Sequence, residues 1–455
     1  MYYESLSYQE NKILEIFSHF SDIPWSILLH SGNNNKKDGK YDIFSSFPEV
    51  TLLTKNFYTF VTYKNKSFVS TKDPIELVEY FFSKFNRVKR KKNIPFQGGA
   101  MGFLGYDLSK YFFSGIPNIS KKDLYLPDMA VGIYNWAIIS EFKKKKITLV
   151  SRKNPNKIIK MIKSLKNNKK ENFSLSSSWK SNMSKLEYKK KFEKIFSHLN
   201  KGNCYQICFG QRFFSSYSGN EWRAFCNLLF YNSASFSSFI RINNSQTILS
   251  FSPERFLQVK KKCVISEPIK GTTNRSSNKK IDKKKKIDLF LSEKNKSENV
   301  MIVDLLRNDI GKIAIPGSVY VSSLFRIEKL KKVYQMVSTI NGKISSNKKI
   351  FKLIRSCFPG GSITGAPKIK AMQILESIEP NKRNAWCGNV FYLSFCKNFD
   401  SNILIRTLIT EEKKIYCSAG GGITISSKYE EEFEETIHKI MSIIPVLNAK
   451  YGILI

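Results

Sequence analysis

Histidine is scarce in this 455-residue sequence. The four histidines (His19, His30, His198 and His438) lie far apart, and none stands in a nucleophile motif. The eight cysteines are also scattered, with no Cys-x-x-Cys pair and no histidine nearby at the spacing of metal ligands. A Ser-His or Cys-His hydrolase is therefore not expected, and the thiols should be reduced and mostly buried. Catalysis by this chain would have to rest on carboxylates, lysine and a metal ion.

Long apolar runs are absent as well. No stretch reaches the roughly 18 consecutive apolar residues of a membrane-spanning helix, and the first residues lack the basic start and apolar stretch of a signal peptide. Repeats of about 20 to 50 residues, which mark solenoids and propellers, are missing too. We therefore expect a globular, cytoplasmic protein with no membrane partner.

Acidic residues are few: 37 Asp and Glu stand against 75 Lys and Arg, which gives a formal net charge of +38. Such an excess is typical of nucleic-acid-binding proteins, because lysine and arginine displace the counterions of phosphates. The lysines, however, are spread along the chain in short runs, and they far outnumber the arginines that read bases and phosphates better. We expect no nucleic-acid partner, and a basic nucleic-acid-binding protein remains an alternative from another class.

Apolar material is plentiful. Hydrophobic residues make up 42% of the chain and phenylalanine alone numbers 35, so a large core can form. Around residues 152–182 the composition shifts to lysine, asparagine and serine, as in a surface connection. We therefore predict a strand-rich N-terminal lobe over 1–165, a linker over 166–182 and a catalytic lobe over 183–450. Because helices and strands do not alternate regularly, the predicted fold class is α+β.

Local patterns predict elements in both lobes. Ser184 and Glu187 form a capping box, and apolar residues follow at helical spacing until Gly202. Segments 129–139 and 146–150 are β-branched or aromatic runs between polar turns, which predicts strands. The basic run 278–286 is predicted to be a mobile surface loop.

Three segments carry single residues suited to acid–base or covalent chemistry. Glu254 follows a strand-like run and could act as a general acid, although a surface salt bridge to Arg255 would explain it equally well. Lys270 stands between an apolar residue and a glycine, where a solvated lysine is the ordinary interpretation. Glu298 lies on a predicted helix with apolar residues on adjoining turns, so its carboxylate can enter a site at the edge of a buried face.

A fourth segment joins a triple glycine to an acidic helix. Gly420, Gly421 and Gly422 let backbone amides approach an anion closely, and a predicted helix rich in glutamate follows. Acidic residues favour any helix start, so the glutamates alone do not indicate a site. The glycine-rich turn before Lys368 could also hold a carboxylate or phosphate, but it lacks the spacing of a Walker loop. The residues by themselves indicate an anionic substrate, a metal ion and a lysine.

Together these segments resemble the chorismate-utilising family of enzymes over nearly the whole chain. The other matching stretches, weak singly but specific in this order, are 28–32, 95–100, 126–134 and 383–388. The resemblance is close to the members that make 4-amino-4-deoxychorismate for 4-aminobenzoate and folate synthesis. It implies two interlocked lobes built on antiparallel sheets with helices packed outside, and chorismate as the substrate.

Lys270 distinguishes the branches of this family. In the anthranilate-forming members the matching motif reads Pro-Ile-Ala-Gly-Thr, whereas this chain reads Pro-Ile-Lys-Gly-Thr. The resemblance implies that Lys270 attacks carbon 2 of chorismate and expels the hydroxyl on carbon 4, after which ammonia attacks carbon 4 and releases the lysine. Glu254 would protonate the departing hydroxyl. Burial and a neighbouring Mg²⁺ would both favour the uncharged amine that attacks.

The same resemblance assigns the remaining site residues. The implied Mg²⁺ ligands are Glu298 and Glu435, with Glu432 assisting. The residues implied to orient chorismate are Thr272, Lys368, Tyr392, Arg406, Gly420, Gly421 and Gly422. A structural or regulatory tryptophan site is implied at Ser31, Lys40, Tyr41, Ser235, Phe236 and Ser237.

One position departs from the family pattern. Gln335 stands where the family usually has a histidine, which the anthranilate-forming members need for the later loss of pyruvate. Glutamine can donate a hydrogen bond but cannot carry a proton, so we predict amination without aromatisation. The resemblance implies that ammonia comes from a glutamine amidotransferase subunit in a heterodimer, and no glutaminase Cys-His pair is visible in this sequence. An anthranilate synthase component and a catalytically inactive, tryptophan-binding subunit remain the alternatives within the family.

Overall fold

The computed structural model describes residues 1–32, 40–91, 94–165, 170–232, 234–441, 443–447 and 453–454. Two large antiparallel sheets form its framework, and helices pack against them. The predicted α+β class is confirmed. Within the described residues, no helix is long and apolar enough to cross a bilayer. All eight cysteines are free, and six of them are buried.

The first sheet contains 14 strands. Twelve of them follow the order β1 (Tyr2–Leu6), β10 (Lys146–Ser151), β9 (Trp136–Glu141), β3 (Tyr41–Ser45), β2 (Ile27–His30), β14 (Phe236–Arg241), β15 (Gln246–Ser252), β24 (Thr407–Glu411), β25 (Lys414–Ile423), β13 (Gln206–Ser218), β12 (Trp179–Ser181) and β26 (Ile453–Leu454). The short strands β11 (Ser174–Leu175) and β21 (Gly365–Ala366) also pair with β13. Only β12 and β26, among these described strands, pair in parallel.

The second sheet contains 12 strands, all antiparallel to their neighbours. Eleven of them follow the order β18 (Ile269–Asn274), β20 (Val333–Lys343), β17 (Cys263–Ser266), β16 (Arg255–Lys260), β23 (Phe399–Ile403), β22 (Asn389–Ser394), β7 (Gly99–Leu104), β8 (Met129–Tyr134), β4 (Val50–Lys55), β5 (Tyr58–Tyr63) and β6 (Lys66–Ser70). The remaining strand, β19 (Tyr320–Lys329), also pairs with β20.

The helices are short to medium in length. They are α1 (Lys12–Ser18), α2 (Pro74–Ser83), α3 (Asn156–Lys163), α4 (Lys185–Asn200), α5 (Glu221–Tyr231), α6 (Lys279–Leu291), α7 (Glu293–Gly311), α8 (Ile350–Cys357), α9 (Lys368–Ile378), α10 (Tyr429–Met441) and α11 (Ile444–Leu447). The predicted capping box at the start of α4 is confirmed, because Glu187 N donates to Ser184 Oγ at 3.2 Å and Ser184 N donates to Glu187 Oε2 at 2.7 Å. The strands predicted over 129–139 and 146–150 correspond to β8, β9 and β10.

The prediction of a loop over 278–286 was wrong, because α6 begins there. Asn278 caps the helix by accepting hydrogen bonds from the amides of Lys280 and Ile281. Asp282 accepts hydrogen bonds from Arg275 and Tyr334 across the neighbouring strands, which anchors the helix to the sheet. The lysines of this run are the exposed face of a helix docked by a few residues.

Both sheets take strands from both predicted lobes. In the first sheet β2 pairs with β14, and in the second sheet β7 pairs with β22. The predicted linker 166–182 contributes β11 and β12, which pair with β13. The two parts are therefore interlocked through shared sheets, and the division at 166–182 stays a prediction.

The apolar face of α7 anchors this helix, which carries Glu298, against the core. Ile302, Leu306 and Ile310 are at most 3% exposed and belong to one core cluster with residues of α8 and the second sheet. Side chains four residues apart lie on the same side of a helix, one turn above another. Glu298, one turn before Ile302, is therefore held at a defined place at the edge of this core.

Candidate active site

Lys270 lies at a β-bulge on β18. The register between β18 and β20 slips between Ile269 and Thr272, which leaves one extra residue on β18. A bulge turns a side chain away from the regular alternation of a strand. Gly271 has a φ of 83°, and a β-carbon there would lie 2.8 Å from Cγ of Asn295, so this position needs glycine. The bulge and its glycine together set the direction of the lysine side chain.

The amine of Lys270 is largely withdrawn from solvent. Its side chain is 12% exposed, and Nζ lies 3.7 Å from Oε2 of Glu298. The same amine donates a hydrogen bond of 3.3 Å to the carbonyl oxygen of Ser362. This position suits the predicted nucleophile, which stays a prediction.

Glu254 stands between β15 and β16 and is 5% exposed. Burial raises the pKa of its carboxyl group to about 7, although hydrogen bonds from the Ser362 hydroxyl and the Ile269 amide and the charge of Lys270 oppose the rise. A carboxyl group that is half protonated near neutral pH can both give up a proton and take one back. Glu254 therefore has the environment of a general acid.

Three glutamates from two helices contribute oxygen atoms to the site. Glu298 accepts a hydrogen bond of 3.0 Å from Nε2 of Gln206 at the start of β13. Glu432 and Glu435 lie one turn apart on α10, and Glu432 is 2% exposed. Its Oε1 accepts a hydrogen bond of 2.7 Å from Ser427, whereas its Oε2 is buried without a hydrogen-bond partner among the described residues. Burial raises the pKa of Glu432, and the charge of Glu435 adds to the rise.

The glycine run of β25 lies against these carboxylates. A β-carbon on Gly421 would lie 2.6 Å from Oε2 of Glu432 and 3.5 Å from Oε2 of Glu435. A β-carbon on Gly422 would lie 3.3 Å from Oε2 of Glu298. Glycine at these two positions therefore leaves room beside the carboxylates that any side chain would fill.

Lysines balance the acidic charge. Nζ of Lys294 lies 3.4 Å from Oε1 of Glu432, and Nζ of Lys439 lies 2.6 Å from Oε1 of Glu435. Burial works against the charge on Lys294, but Glu432 and Glu298 raise its pKa. Burial likewise works against the charge on Glu435, yet Lys439 holds its pKa below the ordinary value. The site thus presents groups of both signs and suits a bound cation together with an anionic substrate.

The oxygen donors fit a hard cation. In the part of the chain that the structure describes, no group of three or more His, Cys, Asp or Glu side chains is gathered closely enough to hold a metal ion. Mg²⁺ is commonly bound by one or two carboxylates, with water and substrate oxygens completing its coordination. The partnerless Oε2 of Glu432 and the space beside Gly421 fit such an ion. The carboxylates that border Gly421 and Gly422 are those of Glu298, Glu432 and Glu435.

The residues predicted to orient the substrate do not all gather in one place. Gly420 precedes the two glycines that border the carboxylates. Thr272 is exposed on β18 and pairs with Gln335 of β20, whose own side chain is buried. Burial lowers the pKa of Arg406, and its guanidinium makes no hydrogen bond or ion pair with a residue that the structure describes. A guanidinium in this state can hold a carboxylate through two parallel hydrogen bonds.

Lys368 is already paired within the core, and its predicted contact with substrate stays a prediction. It is 7% exposed, and its Nζ lies 2.5 Å from Oδ2 of Asp309 on α7. The same amine donates a hydrogen bond of 2.9 Å to the carbonyl oxygen of Cys357 on α8. These bonds tie α9 to α7 and α8, so the lysine acts as a support for the site.

A separate cavity collects most of the residues predicted to bind tryptophan. Its lining includes Ser31, Tyr41, Ser235, Phe236 and Ser237. Lys40 is exposed and does not belong to this lining.

Tyr392 also lines this cavity, and Lys270 and Glu254 do not. Strand β22 thus places Tyr392 beside the residues predicted to bind tryptophan, and its predicted contact with chorismate stays a prediction. Arg255 lines the cavity too and pairs with Glu267 at 2.6 Å and Asp400 at 3.1 Å. The sequence allowed a surface salt bridge between Glu254 and Arg255 as an alternative to catalysis. In the structure, Arg255 is buried and pairs with Glu267 and Asp400.

Three residues of the site escaped sequence reasoning: Ser362, Gln206 and Lys294. Ser362 stands inside the glycine-rich turn that the sequence singled out, so its neighbourhood carried a signal. Gln206 and Lys294 belong to no motif, and only the packing of β13 and α7 brings them to the carboxylates.

The fold and the site define an enzyme that places a buried lysine and a carboxyl group of raised pKa beside carboxylates suited to a cation. Residues 30–445 match the family model for chorismate binding enzymes, and the chain belongs to this family.

The relatives of this chain span two branches of the family. It is 43% identical over 432 residues to aminodeoxychorismate synthase component 1 of Escherichia coli (strain K12), covering 95% of each chain. It is 28% identical over 467 residues to anthranilate synthase component 1 of Acetivibrio thermocellus, covering 95% of this chain and 92% of the relative. The crystal structure of anthranilate synthase component I from Streptococcus pneumoniae TIGR4 is similar, with a TM-score of 0.80 and 26% identity over 91% of this chain and 94% of the other.

Proposed function

We propose that this chain acts as component 1 of an aminodeoxychorismate synthase, which aminates chorismate to 4-amino-4-deoxychorismate for 4-aminobenzoate and folate synthesis. One observation carries the proposal: the side chain of Lys270 is 12% exposed, and its amine lies 3.7 Å from Oε2 of Glu298. A lysine at this motif separates the branch from the anthranilate-forming members. The 43% identical relative from Escherichia coli, which bears the corresponding name, supports the same choice.

The first step joins Lys270 to the substrate. The uncharged amine nitrogen attacks carbon 2 of chorismate, and the bond between carbon 4 and its hydroxyl breaks. Glu254 gives its proton to the departing oxygen, which leaves as water. The resulting carboxylate takes up the proton that the attacking nitrogen sheds. The raised pKa of Glu254, about 7, supports this exchange because both of its forms are populated near neutral pH.

The second step releases the product. Ammonia attacks carbon 4, the bond between carbon 2 and Lys270 breaks, and the proton shed by the new amine passes to the lysine nitrogen. In sum, chorismate and ammonia give 4-amino-4-deoxychorismate and water, and the lysine is restored.

Glu298 and Glu435, with Glu432, would hold Mg²⁺, which supplies positive charge for the ring carboxylate of chorismate. Glu298 lies 3.7 Å from Lys270, so a carboxylate that binds a cation is no longer free to pair with the nucleophile. The glycines at 420–422 and the guanidinium of Arg406 are the groups we assign to the substrate carboxylates. Their support is the room beside the glycines and the absence of a partner for Arg406 among the described residues.

Two partners belong to this proposal. Ammonia would come from a glutamine amidotransferase subunit, and the label "component 1" of the relative is consistent with a second component. Tryptophan would occupy the cavity lined by Ser31, Tyr41 and Phe236, where an aromatic ring, hydroxyl groups and Asp400 can meet an amino acid.

Intact-mass analysis tests the covalent step. Purified chain with chorismate and Mg²⁺, but without ammonia, should gain the mass of chorismate less one water. Lys270→Ala should show no gain, whereas Lys296→Ala, which removes a lysine of α7 that pairs with Glu293, should react like the unchanged chain. A chain that turns over chorismate with ammonium but never forms the adduct would refute the role of Lys270.

The product separates this function from its nearest rival. The anthranilate-forming members release an aromatic product, whereas we expect 4-amino-4-deoxychorismate alone. Anthranilate or 4-aminobenzoate made by the purified chain would contradict the assignment.

A further inference from the structure

Ser362 lies between the two groups that the proposed reaction uses. It stands in a short 3₁₀ turn, Gly361–Ile363, that connects α8 to β21 and α9, and it is 8% exposed. Its backbone carbonyl oxygen accepts the 3.3 Å hydrogen bond from Nζ of Lys270. The hydroxyl group of Ser362 also favours the charged form of Glu254 and thereby lowers the pKa of that carboxyl group. One residue therefore acts on both the nucleophile and the acid.

The turn that carries Ser362 is held from several sides. The carbonyl oxygen of Ile363 accepts a hydrogen bond of 2.8 Å from Nη1 of Arg383, whose guanidinium also pairs with Glu379 at 2.7 Å. Thr364 Oγ1 donates to the carbonyl oxygens of Gly360 at 3.1 Å and Gly361 at 3.3 Å. The backbone of Ser362 is thus tied to a buried ion pair and to its own turn.

The same turn packs against the helix of Glu298. A β-carbon on Gly361 would lie 3.3 Å from Cγ of Leu305 on α7, so the turn and the helix are in close contact. Close packing of this kind transmits small shifts rather than absorbing them. The position of Ser362 is therefore set by the elements that also carry the proposed cation ligand.

We propose that Ser362 is a positioning residue of the amination, which aims the Lys270 amine through its carbonyl group and the Glu254 proton through its hydroxyl group. The inference rests on the proposed function. A serine hydroxyl has one hydrogen to donate, so donation to one oxygen of Glu254 leaves the other oxygen to carry the acidic proton. That proton goes to the leaving hydroxyl, and the carboxylate left behind keeps the hydrogen bonds from Ser362 and from the amide of Ile269.

Replacement of the hydroxyl should change rate and pH dependence together. The rate of adduct formation in Ser362→Ala should fall about 10- to 100-fold, the range for loss of a hydrogen bond to a charged group. Because that bond favours the carboxylate form of Glu254, its loss raises the pKa of the acid. The decline of the rate at high pH should then move upward by about one pH unit. The charged and titratable neighbours of Glu254, Lys270 and Cys387, are unchanged by the substitution.

A matched variant separates positioning from support of the fold. Thr364→Val removes a buried hydroxyl of the same turn that bonds only to Gly360 and Gly361. It should lower the melting temperature without moving the pH profile. Ser362→Thr, which keeps the hydroxyl, should restore both the rate and the profile towards those of the unchanged chain.

Adduct formation is measured in the unchanged chain first, by intact mass over time from pH 6 to pH 9. If that chain forms no adduct, the proposed function fails. If it forms the adduct and Ser362→Ala reacts at the same rate with the same high-pH decline, the role of Ser362 alone is overturned. A profile that shifts equally in Thr364→Val would overturn it as well.

Discussion

Glu254 is the residue whose chemistry depends most on burial. Its pKa lies at about 7 in the folded chain, against 4.5 for a glutamate without such surroundings. Between these values the folded chain holds a proton that the unfolded chain has lost. Stability therefore falls as the pH rises from about 4.5 to about 7, because the charged form is the one that burial disfavours.

Glu254→Gln should remove this pH dependence. Relative to the variant, the unchanged chain should lose up to about 3 kcal/mol of unfolding free energy between pH 4.5 and pH 7, as the shift of the pKa implies. Urea unfolding at pH 5 and pH 8 measures the difference, with the exposed Glu193→Gln as the control. Parallel stability curves for the unchanged chain and Glu254→Gln would contradict the raised pKa. The same variant should also lose turnover by about 10²- to 10⁴-fold, since an amide cannot give a proton.

At the residue scale, local motifs pointed to two residues that the structure brings together. Lys270 and Glu254 stand in short motifs, and the structure brings both to Ser362. The pairing of Lys368 with Asp309 was not predicted, because the two residues are distant in sequence and the local pattern does not indicate the pair. The place of Tyr392 in the cavity with Tyr41 and Phe236 was not predicted either, because a motif match does not say which cavity a strand side chain enters.

At the scale of secondary-structure elements, the packing of β25 against α10 shapes the site. Strand and helix approach so closely that a methyl group on Gly421 would meet Oε2 of Glu432 at 2.6 Å. The same substitution would put that methyl 3.5 Å from Oε2 of Glu435, a normal contact. Glu432 would therefore have to move first.

Gly421→Ala should weaken cation binding while the chain stays folded. We expect the Mg²⁺ concentration for half-maximal activity to rise roughly 10-fold, the size of effect that follows when groups supporting a metal site are displaced. Calorimetric titration of Mg²⁺ into the protein gives an independent reading. Gly311→Ala, where a β-carbon meets nothing within 4 Å, is the control. Unchanged Mg²⁺ affinity in Gly421→Ala would argue against the α10 glutamates as ligands.

Elements were predictable from sequence when their signals were complete in one segment. The capping box of α4 and the strand runs of β8 to β10 are of this kind, since caps and alternation are short-range. Helix α6 was not predicted because six lysines dominate the segment and few of its residues show a helical pattern. Asp282, which anchors the helix, has its partners on β18 and β20 or beside them, and these strands come together only in the folded sheet. The bulge at Lys270 is likewise invisible until two strands are in register.

At the scale of the whole molecule, the proposed reaction requires free ammonia. The sequence shows no Cys-His motif suited to releasing ammonia from glutamine.

Purified chain should therefore turn over chorismate with ammonium chloride and Mg²⁺ but not with glutamine. Because ammonia rather than ammonium is the nucleophile, the ammonium-dependent rate should rise with pH until protonated Glu254 is depleted. Addition of a glutamine amidotransferase subunit should create glutamine-dependent turnover, measured by coupling to a lyase that forms 4-aminobenzoate. Glutamine-dependent turnover by the chain alone would contradict the requirement for a separate glutamine amidotransferase subunit.

Because distant parts of the chain share the same sheets, the fold affects how the protein folds during its synthesis. Strand β2 pairs with β14, which follows more than 200 residues later in the chain, and β7 pairs with β22, which is also more than 200 residues away. During synthesis the first third of the polypeptide thus leaves the ribosome with strand edges that have nothing to join, and long-range pairings of this kind form slowly. Nascent chains of this protein should depend on chaperones until translation is almost complete.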